Sequence, residues 1–323
     1  MGPDKIVEVH HLKKYYKVNG GGLRGKEETV KALDDISFDI FRGETVGLVG
    51  ESGCGKTTAG RAILRLIDVT DGEILFKGQD ITHASEGELR PLRRSMQIIF
   101  QDPYGCLNPR KRVGEIITEP LRLQGITKEN ELQKHALELM EEVGLRSDYV
   151  DRFPHEFSGG QRQRVGIARA IAADPEFIVC DEPVSALDVS VQAQVLNLIQ
   201  KLQQERNLTY LFISHDLRVV KHLSDRIIVM YLGSIVECGS REEIYSHPAH
   251  PYTKALLSAV PEVGGDTGER ILLQGDIPSP IHLPTGCRFH TRCPRATERC
   301  KTEVPPILDI GAGHLCACHY WEG

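Results

Sequence analysis

No run of about 18 consecutive apolar residues occurs in the 323-residue chain, so no segment is expected to span a membrane. The N-terminal stretch MGPDKIVEVHHLKK has no apolar core, which excludes a signal peptide and points to a cytosolic protein. An excess of basic residues is also missing. The formal net charge is −6, which excludes nucleic-acid binding by bulk electrostatics. A cytosolic setting argues against reading the nine cysteines as disulfides. No internal repeat is evident. What remains is an ordinary apolar content of 40%, enough for one large or two modest domains.

One stretch organises the rest: ETVGLVGESGCGKTT, from Glu44 to Thr58. Val46-Gly47-Leu48-Val49 reads as a short buried strand, and Thr57 to Leu66 is compatible with a helix. Between them Gly50-Glu51-Ser52-Gly53-Cys54-Gly55-Lys56-Thr57 has the phosphate-loop spacing: Gly, four residues, Gly-Lys-Thr. The glycines let successive N–H groups point at one anion, and the helix N-terminus adds its positive end. Lys56 offers a mobile charge to the outer phosphates. The Thr57 hydroxyl can sit on a magnesium ion, and Thr58 follows it at the helix start. Cys54, close to a helix N-terminus, is a candidate for a lowered thiol pKa and oxidation sensitivity, or simply a small filler.

Along the chain, Ile6 to Leu12 reads as a strand, Lys13 to Glu28 with Gly20-Gly21-Gly22 as a loop, and Val30 to Ile40 as a half-exposed antiparallel strand. DGEILFKGQDI (Asp71 to Ile81) reads as a hairpin turning at Lys77-Gly78. Met96 to Phe100 is a short strand. From Asp102 to about Phe157 the pattern is helical, with runs at Val113–Leu123 and Glu129–Val143. Strands at Phe177–Cys180 and Leu208–Ile213 then alternate with helices at Gln161–Ala173, Val189–Gln204 and Leu217–Leu223. Such alternation implies a mainly parallel sheet covered by helices. Val229, Tyr231, Ile235 and Val236 mark a last strand pair, and Tyr252 to Val260 a helix. Beyond Pro261 the chain is rich in Pro, Gly, Cys and His with little periodicity, and needs a staple to fold. The expected fold is α/β: a phosphate-loop core with an antiparallel β subdomain, an inserted α-helical subdomain at about 102–160, and a small irregular cysteine-rich extension. The expected domains are residues 1–246 and 247–323.

Two further stretches complete a phosphate-handling set. Phe177-Ile178-Val179-Cys180 ends in Asp181-Glu182. Beside a phosphate loop the first acid is placed to hold magnesium, and the second to orient or deprotonate the attacking water. Phe157-Ser158-Gly159-Gly160-Gln161-Arg162-Gln163-Arg164 puts a capping serine and two glycines at a helix start, a second anion site about a hundred residues from the first. Two such sites and one nucleotide suggest that each completes a different copy.

This order of motifs resembles the nucleotide-binding subunit of an ATP-binding cassette transporter, over roughly Ile6 to Cys238. The match includes Gln101, the Ser158-to-Gln161 signature, Ser185-Ala186-Leu187-Asp188 and His215. Phe157, where the family often has Leu, and Thr57-Thr58, where Ser-Thr is common, depart from it while keeping the chemistry. The resemblance implies two cassettes closing head to tail around two ATP molecules. Ser158 and Gly160 would contact the γ-phosphate held by the partner cassette. Gln101 would touch magnesium or the attacking water, His215 the γ-phosphate, and Asp188 the dimer interface. Tyr16, with Tyr15 as backup, stands where the family stacks an aromatic ring on adenine.

The tail contains HPYTKALLSAVP from His250, GDIPSP from Gly275, GCRFHTRCPRATERC from Gly286 and GHLCACH from Gly313. It resembles the C-terminal extension of oligopeptide and dipeptide permease ATPases. That implies ATP-driven peptide import with two membrane permease subunits, fed by an extracytoplasmic binding protein, the chain lying peripherally on the cytoplasmic side of the membrane. Nickel and oligosaccharide importers share the pattern. A soluble repair or translation cassette is disfavoured by the single cassette and short helical insertion, and a vestigial metal-sensing module by the complete motif set. Cys287, Cys293, Cys300 and Cys318 match the family spacing, and some members carry a [4Fe-4S] cluster there. Four thiolates suit such a cluster. Zinc is the runner-up, with His290 or His319 as further ligands, but the paired C-x₂-C knuckles are missing. Cys316, two residues before Cys318, is a substitute ligand if strand-like alternation puts both on one face.

Overall fold

The computed structural model describes residues 4–19, 27–259 and 271–321, in two compact units. Gly20-Gly21-Gly22 and Val260 to Arg270 lie outside the described residues, so the glycine loop and the end of the helix expected at Tyr252 to Val260 stay expectations. The first unit is mainly residues 84–212, and the second joins 5–40, 45–83 and 213–323.

In the second unit an antiparallel sheet runs in the order Glu27–Phe41, Lys5–Asn19, Asp71–Phe76, Gln79–Asp80. The turn between the last two is Lys77-Gly78, with φ values of 53° and 75°. Two consecutive left-handed residues match the twist of a two-residue hairpin. The first strand is longer than the sequence pattern predicts: Lys13 to Asn19 is strand, not loop. Polar side chains hid it. Lys13 pairs with Asp71, and the register shifts between His10 and Lys13, so the period-2 pattern breaks at an irregularity while pairing continues.

A second sheet in this unit runs Leu308–Asp309, Leu315–Cys316, Ser234–Ser240, Arg226–Tyr231, Thr45–Val49. The tail therefore adds two short strands, which its sequence did not announce. Thr45–Val49 is buried throughout and pairs in parallel with Arg226–Tyr231, Val49 opposite Val229. Gly47 is required there: a Cβ would stand 2.3 Å from Val220 Cγ1 of the helix Leu217–Leu223.

The first unit contains the parallel strands Met96–Ile99 and Phe177–Asp181, followed in the sheet order by Thr209–Ser214. Helices Val113–Leu123, Glu129–Glu142 and Gly159–Ile171 pack together, burying Ile116, Ile117, Leu132, Leu139, Met140 and Val165. A seven-residue helix, Glu86–Leu92, was not anticipated because Pro91 breaks its pattern. Ser85 and Glu88 cap it reciprocally.

Candidate functional site

In the second unit the chain leaves its buried strand at Gly50. A Cβ on Gly50 (φ 152°) would stand 2.2 Å from the Met230 carbonyl oxygen, and one on Gly55 (φ 109°) 2.3 Å from that of Ala32. No side chain fits at either position, so backbone proximity dictates the glycines. The helix Lys56–Ile63 starts immediately after Gly55. Lys56 is buried, and its Nζ donates to the carbonyl oxygens of Gly50 (2.7 Å) and Glu51 (3.1 Å), closing the loop around the ammonium. Ser52 and Gly53 are exposed, and Thr57 and Thr58 are half-buried at the helix start. Cys54 departs from the reactive-thiol expectation. It is buried beneath the loop, and burial pushes its thiol up, overriding the helix N-terminus.

The structure separates the two adenine-stacking candidates. The Tyr15 hydroxyl donates to Asp34, and burial with that bond pushes its pKa up to about 12. Tyr16 is 38% exposed, with the Lys14 ammonium 4.8 Å over its ring. His215 is exposed, one residue past Thr209–Ser214. The next residue, Asp216, caps the helix Leu217–Leu223 by accepting from the Arg218 N–H at 2.9 Å.

The first unit brings together a different set. Parallel pairing places Ile99 opposite Cys180, and the same register carried two residues on sets Gln101 opposite Glu182. Gln101 Nε2 donates to Glu182 Oε2 at 3.0 Å and lies 3.4 Å from Ser185 Oγ. Asp181, one residue earlier, is buried. Glu182 has φ 45°, a left-handed conformation that an ordinary residue adopts at a cost of about 1–3 kcal/mol and that is found at functional sites.

Ser158 opens the thirteen-residue helix Gly159–Ile171. Its Oγ accepts from the Gln161 N–H (3.4 Å), and Gln161 Oε1 accepts from the Ser158 N–H (3.0 Å). Gly159 and Gly160 abut the following segment. A Cβ on Gly160 would stand 2.3 Å from Val191 Cγ1, and one on Gly159 3.3 Å from Leu187 Cδ2. Asp188 is exposed at the start of the helix Val189–Arg206. The unit thus presents a capped helix N-terminus beside the Ser185–Asp188 loop.

In the tail, Cys287, Cys293, Cys300 and Cys318 line one small pocket with His290 and His319. Burial, and repulsion from the other thiols as thiolates, pushes Cys287 up to about 11. The same causes raise Cys293 and Cys318. Cys316 does not line the pocket. It is fully buried opposite Glu237, and its strand ends there, so alternation does not carry to Cys318. Among the described residues no three His, Cys, Asp or Glu side chains form a group that could hold a metal ion.

Sequence reasoning missed the tail residues that reach the phosphate loop. The Glu51 N–H donates to the Tyr252 hydroxyl at 2.9 Å, and the Glu51 carboxylate accepts from Arg292. These partners are 201 and 241 positions apart, and no local pattern signals the pairing.

Residues 33–185 match the ABC transporter family, and residues 236–300 match the oligopeptide/dipeptide transporter C-terminal region. The oligopeptide transport ATP-binding protein AppF of Bacillus subtilis (strain 168) is 52% identical over 323 residues, covering 99% of this chain and 98% of that one. The chain belongs to the ABC transporter ATPase family, in its oligopeptide/dipeptide permease branch. Solved ABC cassettes share its fold. The dimeric post-hydrolysis structure of the cassette MJ0796, bound to ADP and Pi, superposes with a TM-score of 0.65 at 30% identity, covering 73% of this chain and 98% of that one. CbiO1 of Clostridium perfringens, part of the ABC transporter complex CbiONQ, gives 0.63 at 27% identity, covering 76% and 92%. The expected phosphate-loop α/β core with its antiparallel sheet is therefore the ABC cassette fold. Among the described residues no helix is long and apolar enough to cross a membrane.

Proposed function

We propose that this ABC ATPase is the ATP-hydrolysing motor of a membrane importer of di- or oligopeptides. The observation that carries hydrolysis is the hydrogen bond from Gln101 to Glu182, with Glu182 held at φ 45° directly after the buried Asp181. Peptide as cargo rests on the C-terminal region match and on the AppF relative.

In this reading Tyr16 stacks on adenine, and Gly50, Ser52, Gly53, Cys54, Gly55 and Thr58 cradle the phosphates through backbone N–H groups. Lys56 offsets negative charge on the outer phosphates. The Thr57 hydroxyl and the Asp181 carboxylate are hard oxygen donors that suit magnesium, as does the Gln101 amide oxygen. Magnesium held by these groups would offset the charge that develops on the phosphates. Glu182 takes the proton of the attacking water, Gln101 touches that water or the magnesium, and His215 contacts the γ-phosphate. Ser158, Gly159, Gly160, Gln161 and Asp188 act on the ATP of a second cassette, a sister chain or another copy. Two permease subunits anchor the pair peripherally at the cytoplasmic membrane face, with an extracytoplasmic binding protein delivering cargo. The cassette spans 1–246, with its helical subdomain at about 102–160, and the extension 247–323.

The thiols of Cys287, Cys293, Cys300 and Cys318 are the donor set of a [4Fe-4S] cluster in this reading, with zinc the runner-up. All four thiols line one pocket, and that is the observation behind this reading. The cluster would staple a segment poor in core.

The test is Glu182→Gln. ATP binding should persist, turnover should fall by about 10²–10⁴, and an ATP-dependent dimer should accumulate on size-exclusion chromatography. Unchanged steady-state turnover would remove Glu182 from the base role.

A further inference from the structure

The cysteine loop grips the phosphate loop through Arg292, the residue before Cys293. Its guanidinium donates to both Glu51 carboxylate oxygens, at 2.6 and 3.0 Å, and Nη1 lies 3.5 Å from the Tyr231 hydroxyl. The Arg292 side chain is only 7% exposed and that of Glu51 23%. Glu51 is held at each of its polar groups: the carboxylate by Arg292, the N–H by Tyr252 and the carbonyl by Lys56. Phe289, three residues before Arg292 and fully buried, packs its ring 5.3 Å from those of Tyr231 and Tyr252. Both anchors therefore lie between Cys287 and Cys293, two of the pocket thiols. On the same stretch Arg288 donates to the Leu232 carbonyl and to Asp34, the acceptor of Tyr15.

We infer that Arg292 is a positioning residue for the phosphate loop, coupling order in the loop 287–293 to nucleotide binding; this rests on the phosphate loop being the ATP site. A two-pronged, nearly buried arginine–carboxylate pair fixes angle as well as distance. Losing one partner strands a buried charge, so the loop cannot keep its place unchanged. Glu51 holds Lys56 through its carbonyl, so a shift of Glu51 moves the ammonium meant for the phosphates. Coupling is reciprocal: whatever orders the cysteine loop favours nucleotide, and nucleotide orders the cysteine loop.

The experiment titrates the purified full chain with a fluorescent ATP analogue and follows hydrogen exchange of peptides covering residues 286–294 with and without nucleotide. Arg292→Gln should weaken binding by about fivefold or more, and Arg292→Lys should recover part of the loss. Glu51→Gln should match Arg292→Gln, and the double variant should be no weaker than the worse single. Nucleotide should slow exchange across 286–294 in the wild type and leave it unchanged in Arg292→Gln. Wild-type affinity in Arg292→Gln, or nucleotide-independent exchange in the wild type, overturns the coupling. If Arg292→Gln loses its cooperative melt, Arg292→Lys and Glu51→Gln decide by the same criteria. A wild type that fails to bind the analogue overturns the ATP-site reading and the coupling with it; a binding wild type beside an unaffected Arg292→Gln overturns the coupling alone.

Discussion

Gly160 marks where a single atom decides. Its missing Cβ would lie 2.3 Å from Val191 Cγ1, so Gly160→Ala should cost about 1–3 kcal/mol through overpacking. Chemical denaturation should show that loss, and Val191→Ala in the same chain should return most of it. Tyr16 offers the contrasting case of a side chain with little structural work to do. Tyr16→Ala should weaken nucleotide binding by about 1–3 kcal/mol, the worth of a lost aromatic stack on a base, with melting unchanged. Tyr15→Phe should leave nucleotide binding near wild type, because Tyr15 spends its hydroxyl on Asp34. At this scale the sequence was highly legible. Gly50, Gly55, Lys56, Ser158, Gly160, Asp181 and Glu182 could be picked out because their chemistry requires fixed residue types at short, fixed spacing. Arg292 and Tyr252 were illegible, because their partner Glu51 is more than two hundred positions away.

Elements were legible where periodicity or turn chemistry was local. The helix Leu217–Leu223 and the Lys77-Gly78 turn needed no tertiary information. The outer half of Lys5–Asn19 and the tail strands Leu308–Asp309 and Leu315–Cys316 did, since short or polar strands exist only through what they pair with. The tail strands are held by a buried charge pair as well as by their ladder. His314 Nε2 lies 2.7 Å from Glu237 Oε1, and Glu237 also accepts from the N–H groups of Ala249 and His250. Glu243 faces the other ring nitrogen of His314 at 3.5 Å. Neighbouring His250 is neutral near pH 7, burial pushing its pKa down to about 4. The Glu237 hydrogen bond and the two nearby carboxylates raise His314 above 6.5 despite burial, whereas Glu237 lies below 4.5 because its hydrogen bonds outweigh burial. A raised histidine stabilises fully below its unfolded value and stops doing so as pH rises through its folded value. A lowered carboxylate stabilises above its unfolded value and stops as pH falls through its folded one. Exchange protection of residues 308–316 should therefore be greatest between about pH 4.5 and 6.5 and fall as pH rises through the raised histidine value. His314→Gln should flatten the alkaline limb. Equal alkaline loss in that variant would assign the effect to another group.

At the scale of the whole chain the tail is the part least able to hold itself. Among its described residues, 271–321, the buried apolar side chains are Phe289, Cys300 and Cys316, while Leu272, Val304, Ile307 and Leu308 are exposed. So small a core offsets little of the entropy of ordering the segment, and a covalent or metal staple is the usual remedy. Protein purified without oxygen should therefore show broad visible absorption and about four irons per chain. One zinc and no colour would replace the cluster with the runner-up ion, and no metal at all would remove the staple. The pocket geometry sharpens the expectation residue by residue. Cys287→Ser, Cys293→Ser, Cys300→Ser and Cys318→Ser should each lower iron content, because all four thiols line the pocket. Cys316→Ser should leave it unchanged, because Cys316 pairs with Glu237 across the ladder and does not line the pocket. A Cys316→Ser protein without iron, beside a Cys318→Ser protein that keeps it, would exchange the roles of the two cysteines and require the chain after Leu315 to rotate by one residue. That rotation would turn Cys316 out of the ladder it shares with Glu237, and the loss of exchange protection there would report it independently of the metal.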